Sequence, residues 1–266
     1  MLALTSKLAL RNIRVFSTVR DVELCTKGFD EIIRSRTSCR QYKQQSVDDS
    51  LLDKILSETV LAPTAYNWQP YKIVILKDKA NLEKLATRMP KKNANVIRQV
   101  PGVAVFLADT EPSMTGEAYK VLWKREGLDE NKVGYTLSRF GTLIGKGGIA
   151  GLMAKCSLKQ KSNKSFAQEY YTNREWSIKQ TIFPMELFVL SCQAHGLCSL
   201  IMEGFDGRHV SELIHCPKRY FVVGLVPFGY SSEENVKPTL RYETRNMVFN
   251  ERFGEERTTV PEFKRE

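Results

Sequence analysis

Apolar positions recur along this chain with two periods, and each change of period marks an element. Between Asp48 and Leu61, the residues Leu51, Leu52, Ile55, Leu56 and Val60 fall at three- and four-residue spacing. This predicts a helix with one core-facing stripe, and Asp48 and Asp49 favour its N-terminus. Pro63 closes that pattern, because it holds Ala62 out of the helical region and cannot continue the ladder. Tyr71 to Leu76, YKIVIL, is a short β-branched run suited to a buried strand, and Val103 to Ala108 is a second. The same reading predicts short helices over Phe29 to Arg34, Asn81 to Arg88 (closed by Pro90) and Val210 to Ile214. It also predicts a short strand over Cys198 to Met202 and a last core strand over Tyr220 to Tyr230. Glu175 to His195 is apolar enough for a central helix, with Gly196 as terminator. Two residues disturb it: Pro184 should kink or interrupt it, and Glu186 sets a carboxylate where an unpaired charge would be costly. From Thr110 to about Asn173 the periodicity loosens.

Two polar stretches stand out against this frame. Tyr66-Asn67-Trp68-Gln69-Pro70 places two side-chain amides on a loop at the start of a core strand. An amide offers donors and acceptors together, which suits the edge of a flat heterocycle; the same residues also serve as ordinary turn caps. Arg36-Thr37-Ser38-Cys39-Arg40-Gln41-Tyr42 alternates guanidinium groups with hydroxyls, a set that holds a phosphate by charge-assisted hydrogen bonds. A basic surface turn has the same composition.

Composition narrows the class. With 266 residues and 42% apolar content, the chain can bury a substantial core, and no apolar run is long enough to span a membrane as a helix. The first twenty residues carry Lys7, Arg11, Arg14 and Arg20 with no acid, and their apolar residues fit one helical face. That is the pattern of a mitochondrial presequence, with Arg14-Val15-Phe16-Ser17 resembling a matrix-peptidase site; a basic surface helix is the alternative. Removing residues 1–16 takes the formal charge from +10 to +7. The remaining basic residues are scattered, with one cluster at Lys155 to Lys164, so neither a nucleic acid nor an anionic membrane is the expected partner. Six cysteines without a CxxC pair read as reduced, and the three histidines are too dispersed for a metal site. His195 is placed to cap a helix C-terminus. Gly145-Lys146-Gly147-Gly148 lacks the spacing of a phosphate loop.

Four strings in order, RTSCRQY, APTAYNWQPYKIVIL, GLCSLIMEGFD and VVGLVPFGY, resemble the motifs of the FMN-dependent nitroreductase family. The resemblance covers most of the chain from about Phe29 onward. It implies an α+β fold with a central, mainly antiparallel sheet flanked by helices, in a homodimer with one FMN per subunit at the dimer interface. The helix that begins with Trp176 and Gln180 resembles the family's interface helix. By the same resemblance Arg36, Ser38 and Arg40, with Thr37, contact the FMN phosphate and ribityl chain. Asn67 and Gln69 meet the ring system, and the Glu203–Gly204 backbone lies near flavin N5. Lys237 and Arg241 are further candidates for the phosphate. The domain arrangement that follows is a presequence over 1–16 and one domain over 17–266, with a variable lid region at about 110–173 and a C-terminal extension at about 231–266. The implied activity is ping-pong hydride transfer from NADH or NADPH, through the flavin, to a nitroaromatic, quinone or similar small acceptor in the mitochondrial matrix. The alternative is a mitochondrial interaction or assembly protein that keeps the fold without turnover, suggested by Pro184, Glu186 and the long middle region.

Overall fold

The structure, a computed structural model, describes residues 28–112, 116–125, 127, 129, 131, 133–134, 172–233, 239–257 and 259. They fall into two compact groups, one from Thr37 to Lys237 and the other made of the residues before and after it. The second group holds helix α1 (28–35), which Arg36 N–H closes on Ile32 O at 3.0 Å. It also holds a short 3-10 helix, Thr244–Asn246, and a turn in which Phe249 bridges Glu256 and stacks on Phe253 at 4.8 Å.

In the larger group, α2 (Asp49–Thr59) starts at Asp48, whose carboxylate accepts from Ser50 N–H at 2.8 Å and Leu51 N–H at 3.4 Å. β1 (Tyr71–Leu76), α3 (Lys79–Ala86), α4 (Lys91–Ile97) and β2 (Gly102–Asp109) follow. After them come α5 (Gly116–Arg125), α6 (Asn173–Ala194), β3 (Cys198–Ser199), α7 (Gly207–Leu213) and β4 (Tyr220–Gly229). α4 and α5 were not predicted, and β3 is shorter than the strand expected to reach Met202. Met202 still pairs with Leu225, as an isolated bridge.

The four strands form one antiparallel sheet in the order β1-β2-β4-β3. β2 lies inside, and every residue from Gly102 to Asp109 is buried, which explains its unbroken apolar run. The one acid in it, Asp109, is 1% exposed and pairs with Arg219 Nη2 at 2.8 Å. α6 packs Met185, Phe188, Val189 and Cys192 against Ala104, Phe106, Val226 and Phe228 of the sheet.

α6 begins with a capping box between Thr172 and Glu175. It ends at His195, where Leu197 N–H reaches Cys192 O at 2.8 Å and Gly196 takes φ 74°. The expected interruption at Pro184 does not occur. The helix runs through it, although the ring removes the bond to Gln180 O, because Pro184 lies on the buried face of the helix with Thr181, Met185 and Phe188. Glu186 sits on the exposed face and keeps its water, so the anticipated cost of a buried charge does not arise. Among the described residues no helix is long and apolar enough to cross a membrane.

Candidate active site

The amide loop is a short 3-10 turn, Ala65–Asn67, entered from an extended Thr64. Tyr66, Asn67 and Gln69 all have positive φ, at 57°, 53° and 50°, three of the five non-glycine residues so placed among those described. A side chain in this region costs of order 1 to 3 kcal/mol unless the surroundings impose the conformation. Here they do. The buried Gln180 of α6 accepts from Ala65 N–H at 2.7 Å, and Thr64 Oγ1 accepts from Gln69 N–H at 3.0 Å. Trp68 donates its indole N–H to Pro112 O at 2.8 Å, and the Tyr119 hydroxyl donates to Tyr66 O. Tyr119 reaches the loop from α5, with its ring 4.4 Å from that of Trp68 and 4.6 Å from that of Trp123. Burial pushes its hydroxyl up to about 12, so it stays a neutral donor throughout the working pH range. The loop presents Asn67 to solvent, and Gln69 Nε2 donates to Asn67 Oδ1 at 3.1 Å, fixing the amide's orientation. Strain, anchoring and exposure of a polar group coincide here.

The second cluster lies at the other edge of the sheet. Ser38 bridges Ser199 in parallel, and Cys39 N–H donates to Ser199 O at 3.1 Å, so the segment carrying Ser38 and Arg40 extends the sheet past β3. Arg40 is exposed, and its guanidinium makes a long 3.5 Å contact with Ser38 O. Its backbone N–H is taken by Glu233 Oε1 at 3.0 Å, so an acid stands beside the basic segment. Thr37 and Ser38 are half-buried.

Further along, Glu203 and Gly204 follow Met202 on the edge of β4, both exposed. Gly204 O accepts from Asn93 Nδ2 at 2.9 Å, and a Cβ at Gly204 would stand 2.8 Å from that same nitrogen. The glycine therefore admits the Asn93 amide. Asn93 lies on α4 and carried no signal in the sequence beyond its residue type. The Asp206 that ends the GLCSLIMEGFD string caps α7, accepting from Arg208 N–H at 3.0 Å and His209 N–H at 3.3 Å.

Within one chain the two clusters do not meet. The loop with Asn67 and Gln69 leads into β1, while Ser38, Arg40, Glu203 and Gly204 flank β3 and β4, and the strand order sets β1 and β3 three spacings apart, about 14 Å. Arg36 is half-buried at the end of α1, and Arg241 is exposed with Nη1 on Leu240 O at 2.9 Å; both belong to the smaller group. Lys237, residues 1–16 and most of the lid region lie outside the described residues.

His195 has the capping role expected of it. Its ring Nε2 lies 3.0 Å from both carboxylate oxygens of Glu58, which also accepts from Ser191 Oγ, tying the end of α6 to α2. The serine bonds the carboxylate rather than the imidazole, so the trio lacks the nucleophile–base contact of a hydrolase.

The sequence model of the nitroreductase family matches residues 33–230. The chain is 28% identical over 214 residues to an NADH dehydrogenase of Thermus thermophilus, covering 80% of this chain and 91% of that protein. Among solved structures, a nitroreductase family protein of Streptococcus pneumoniae superposes with a TM-score of 0.67 at 19% identity, over 84% of this chain and 99% of that one. A protein of Exiguobacterium sibiricum named for the same activity and crystallised with FMN gives 0.63 at 18% identity, over 83% and 95%. At these identities the superpositions speak for the fold, which is that of a central antiparallel sheet flanked by helices. The matched span takes in the sheet, α6 and both polar clusters, and the chain belongs to the nitroreductase family.

Proposed function

We propose that this protein is an FMN-dependent oxidoreductase that passes a hydride equivalent from NADH or NADPH to a small acceptor by a ping-pong route. The observation that carries the reading is the loop at Thr64–Gln69. Three residues held at positive φ by Gln180, Thr64, Trp68 and Tyr119 present an amide pair, Asn67 exposed and Gln69 half-buried, where a family motif falls. A turn needed only for connection has no use for that much constraint.

The residues present fit FMN. Arg40 is exposed, two residues from the Ser38 hydroxyl and one from Cys39, and with Thr37 the segment offers a cation and hydroxyl donors suited to a phosphate. Asn67 and Gln69 offer amide donors and acceptors to a ring edge rich in carbonyls and nitrogens. The backbone at Glu203–Gly204, fastened by Asn93 on Gly204 O, would supply an N–H donor to the flavin ring. FMN, when bound, supplies the two-electron chemistry, and the protein's part is to orient the ring and exclude water. A nitroaromatic, a quinone or an activated alkene fits this chemistry.

The separation of the clusters supports a homodimer, since a two-fold partner brings its own amide loop to the Ser38 edge. α6 offers a face for it, with Ile182 and Phe183 41% and 45% exposed beside Glu186. The basic, acid-free N-terminus supports import into the mitochondrial matrix, with processing before Ser17; N-terminal sequencing of the protein from isolated mitochondria tests this. The decisive experiment is the visible spectrum of purified protein beginning at Ser17, followed anaerobically on adding NADH and then NADPH. A bound flavin that bleaches with either nucleotide is the expected result. A flavin that stays oxidised with both would favour the assembly-protein reading, and failure to bind added FMN would overturn the functional assignment.

A further inference from the structure

Exposed cations gather where α3 turns into α4, beside the Glu203–Gly204 backbone. Arg88 stands in the turn, Lys91 and Lys92 open α4, and Arg208 lies in the first turn of α7. The segments are tied together at several points. Asn93 Nδ2 donates to Gly204 O at 2.9 Å, and His209 Nε2 donates to Lys84 O at 2.7 Å. Arg88 Nη1 lies 3.8 Å from Asp206 Oδ2 with its side chain 63% exposed. The approach is close enough that a Cβ at Gly204 would stand 3.8 Å from Pro90 Cγ, one residue before Lys91.

Residues 87–93 and 203–209 hold these four cations against two carboxylates, Glu203 and Asp206. Asp206 is engaged in capping α7 and in the contact with Arg88. Lys91, Lys92 and Arg208 form no ion pair among the described residues, so the surface stays positive with the exposed Glu203 included.

We propose that Lys91 and Lys92, with Arg88 and Arg208 beside them, are the subsite for the diphosphate of the hydride donor. On the flavin reading given above, on which this rests, the Glu203–Gly204 backbone meets the flavin ring. The nicotinamide then stacks within reach of it, and the ribose and diphosphate leave across a neighbouring surface. The Ser38 edge is matched to the phosphate of FMN itself, so a second anion needs a second cationic place. The turn between α3 and α4 is that place, fixed to the Glu203–Gly204 segment by Asn93. A lysine carries a point charge on a flexible stem, which follows a diphosphate without demanding one geometry, and each ammonium makes charge-assisted hydrogen bonds to phosphate oxygens. NADH and NADPH share the diphosphate, so the subsite serves both.

The test is anaerobic stopped-flow reduction of the FMN-loaded full-length protein by NADH, by NADPH and by N-benzyl-dihydronicotinamide, which has the reducing ring and no phosphate. In the double variant Lys91→Gln, Lys92→Gln the second-order rate constant should fall at least ~10-fold with both nucleotides and stay within ~2-fold with the phosphate-free donor. Added salt should slow the nucleotides in the wild type and affect them much less in the double variant. Lys54→Gln removes an equal kind of charge from α2, which packs on the other face of the sheet, and should change none of the three rates. An equal fall with all three donors, or no fall with NADH and NADPH, overturns the subsite. Reduction by no donor would count against the flavin reading instead. Calorimetric titration of ADP-ribose, which has the diphosphate and no reducible ring, then decides the subsite without turnover. It should bind the wild type at least ~10-fold more tightly than the double variant, and equal binding or none overturns the proposal.

Discussion

At the scale of single residues, the candidate site is a set of backbone positions that side chains are forced to occupy. Asn67 is exposed at φ 53°, so its conformation is imposed by the loop rather than by packing of its own side chain. Asn67→Gly removes the steric penalty, worth about 1 kcal/mol, and removes the amide with it. The melting temperature should rise slightly while FMN affinity falls about tenfold, the cost of one well-placed hydrogen bond of about 1.4 kcal/mol. Differential scanning calorimetry and flavin fluorescence titration read the two effects, and a parallel fall in both would assign Asn67 a purely structural role. Gly204 and Asn93 invite a different design. A methyl group at Gly204 meets the Asn93 amide 2.8 Å away, so Gly204→Ala should destabilise by about 1 kcal/mol in the wild type and by less in Asn93→Ala. The double-mutant cycle should give a coupling of about 0.5 to 1 kcal/mol; additive changes would mean that the two groups do not interact in solution.

At the scale of elements, much of the fold was legible because its signals are local. β1 spans Tyr71–Leu76 as read, since Pro70 and the β-branched run bound it, and Gly196 ends α6 through the left-handed conformation a glycine accepts readily. α4 was missed because seven residues, KKNANVI, are too short to show a period and Pro90 reads as a stop, whereas here it stands at the N-cap. Asn93 was lost with it. Gln180 was noted for its place in a motif, but its bond to Ala65 N–H joins residues 115 positions apart, which no sequence window contains. Tyr119 lies in the stretch where the periodicity loosens, and only α5 docking on Trp68 gives it a role.

The tie between α2 and α6 is another such long-range contact. Ser191 and His195 hold the Glu58 carboxylate below its ordinary range of about 4.5, against the opposing effect of burial. A depressed acid lends stability that is present above its unfolded pKa and fades as the pH falls through the folded value. Glu58→Gln should therefore destabilise at neutral pH, by about 1 kcal/mol given that the side chain is 37% exposed. The gap to wild type should narrow below about pH 4.5. Urea midpoints measured at both pH values check it, and a gap that persists in acid would show that the carboxylate's charge contributes nothing.

At the scale of the whole molecule, the sheet order decides what one chain is able to do alone. β1 and β3 are the outer strands, so the amide loop and the Ser38 edge are held apart by β2 and β4, whose burial leaves no freedom to bring them closer. In the proposed homodimer a second copy completes a site that needs both clusters, and α6 is the element proposed to recruit it. It lies across β2, buries one side against the sheet and exposes Ile182 and Phe183 on the other. Two large apolar side chains at 41% and 45% exposure on a rigid helix fit the centre of an interface, and Glu186 beside them fits its polar rim. Phe183→Asp places a charge at that centre while leaving the core contacts of Met185, Phe188 and Val189 untouched. The variant should elute as a monomer in size-exclusion chromatography with light scattering, keep a wild-type circular dichroism spectrum, and bind FMN at least tenfold more weakly, because each remaining half-site has lost its complement. A monomer that binds FMN as the wild type does would place all the cofactor contacts within one chain and remove the argument from strand order. A variant that stays dimeric would move the interface away from this face of α6.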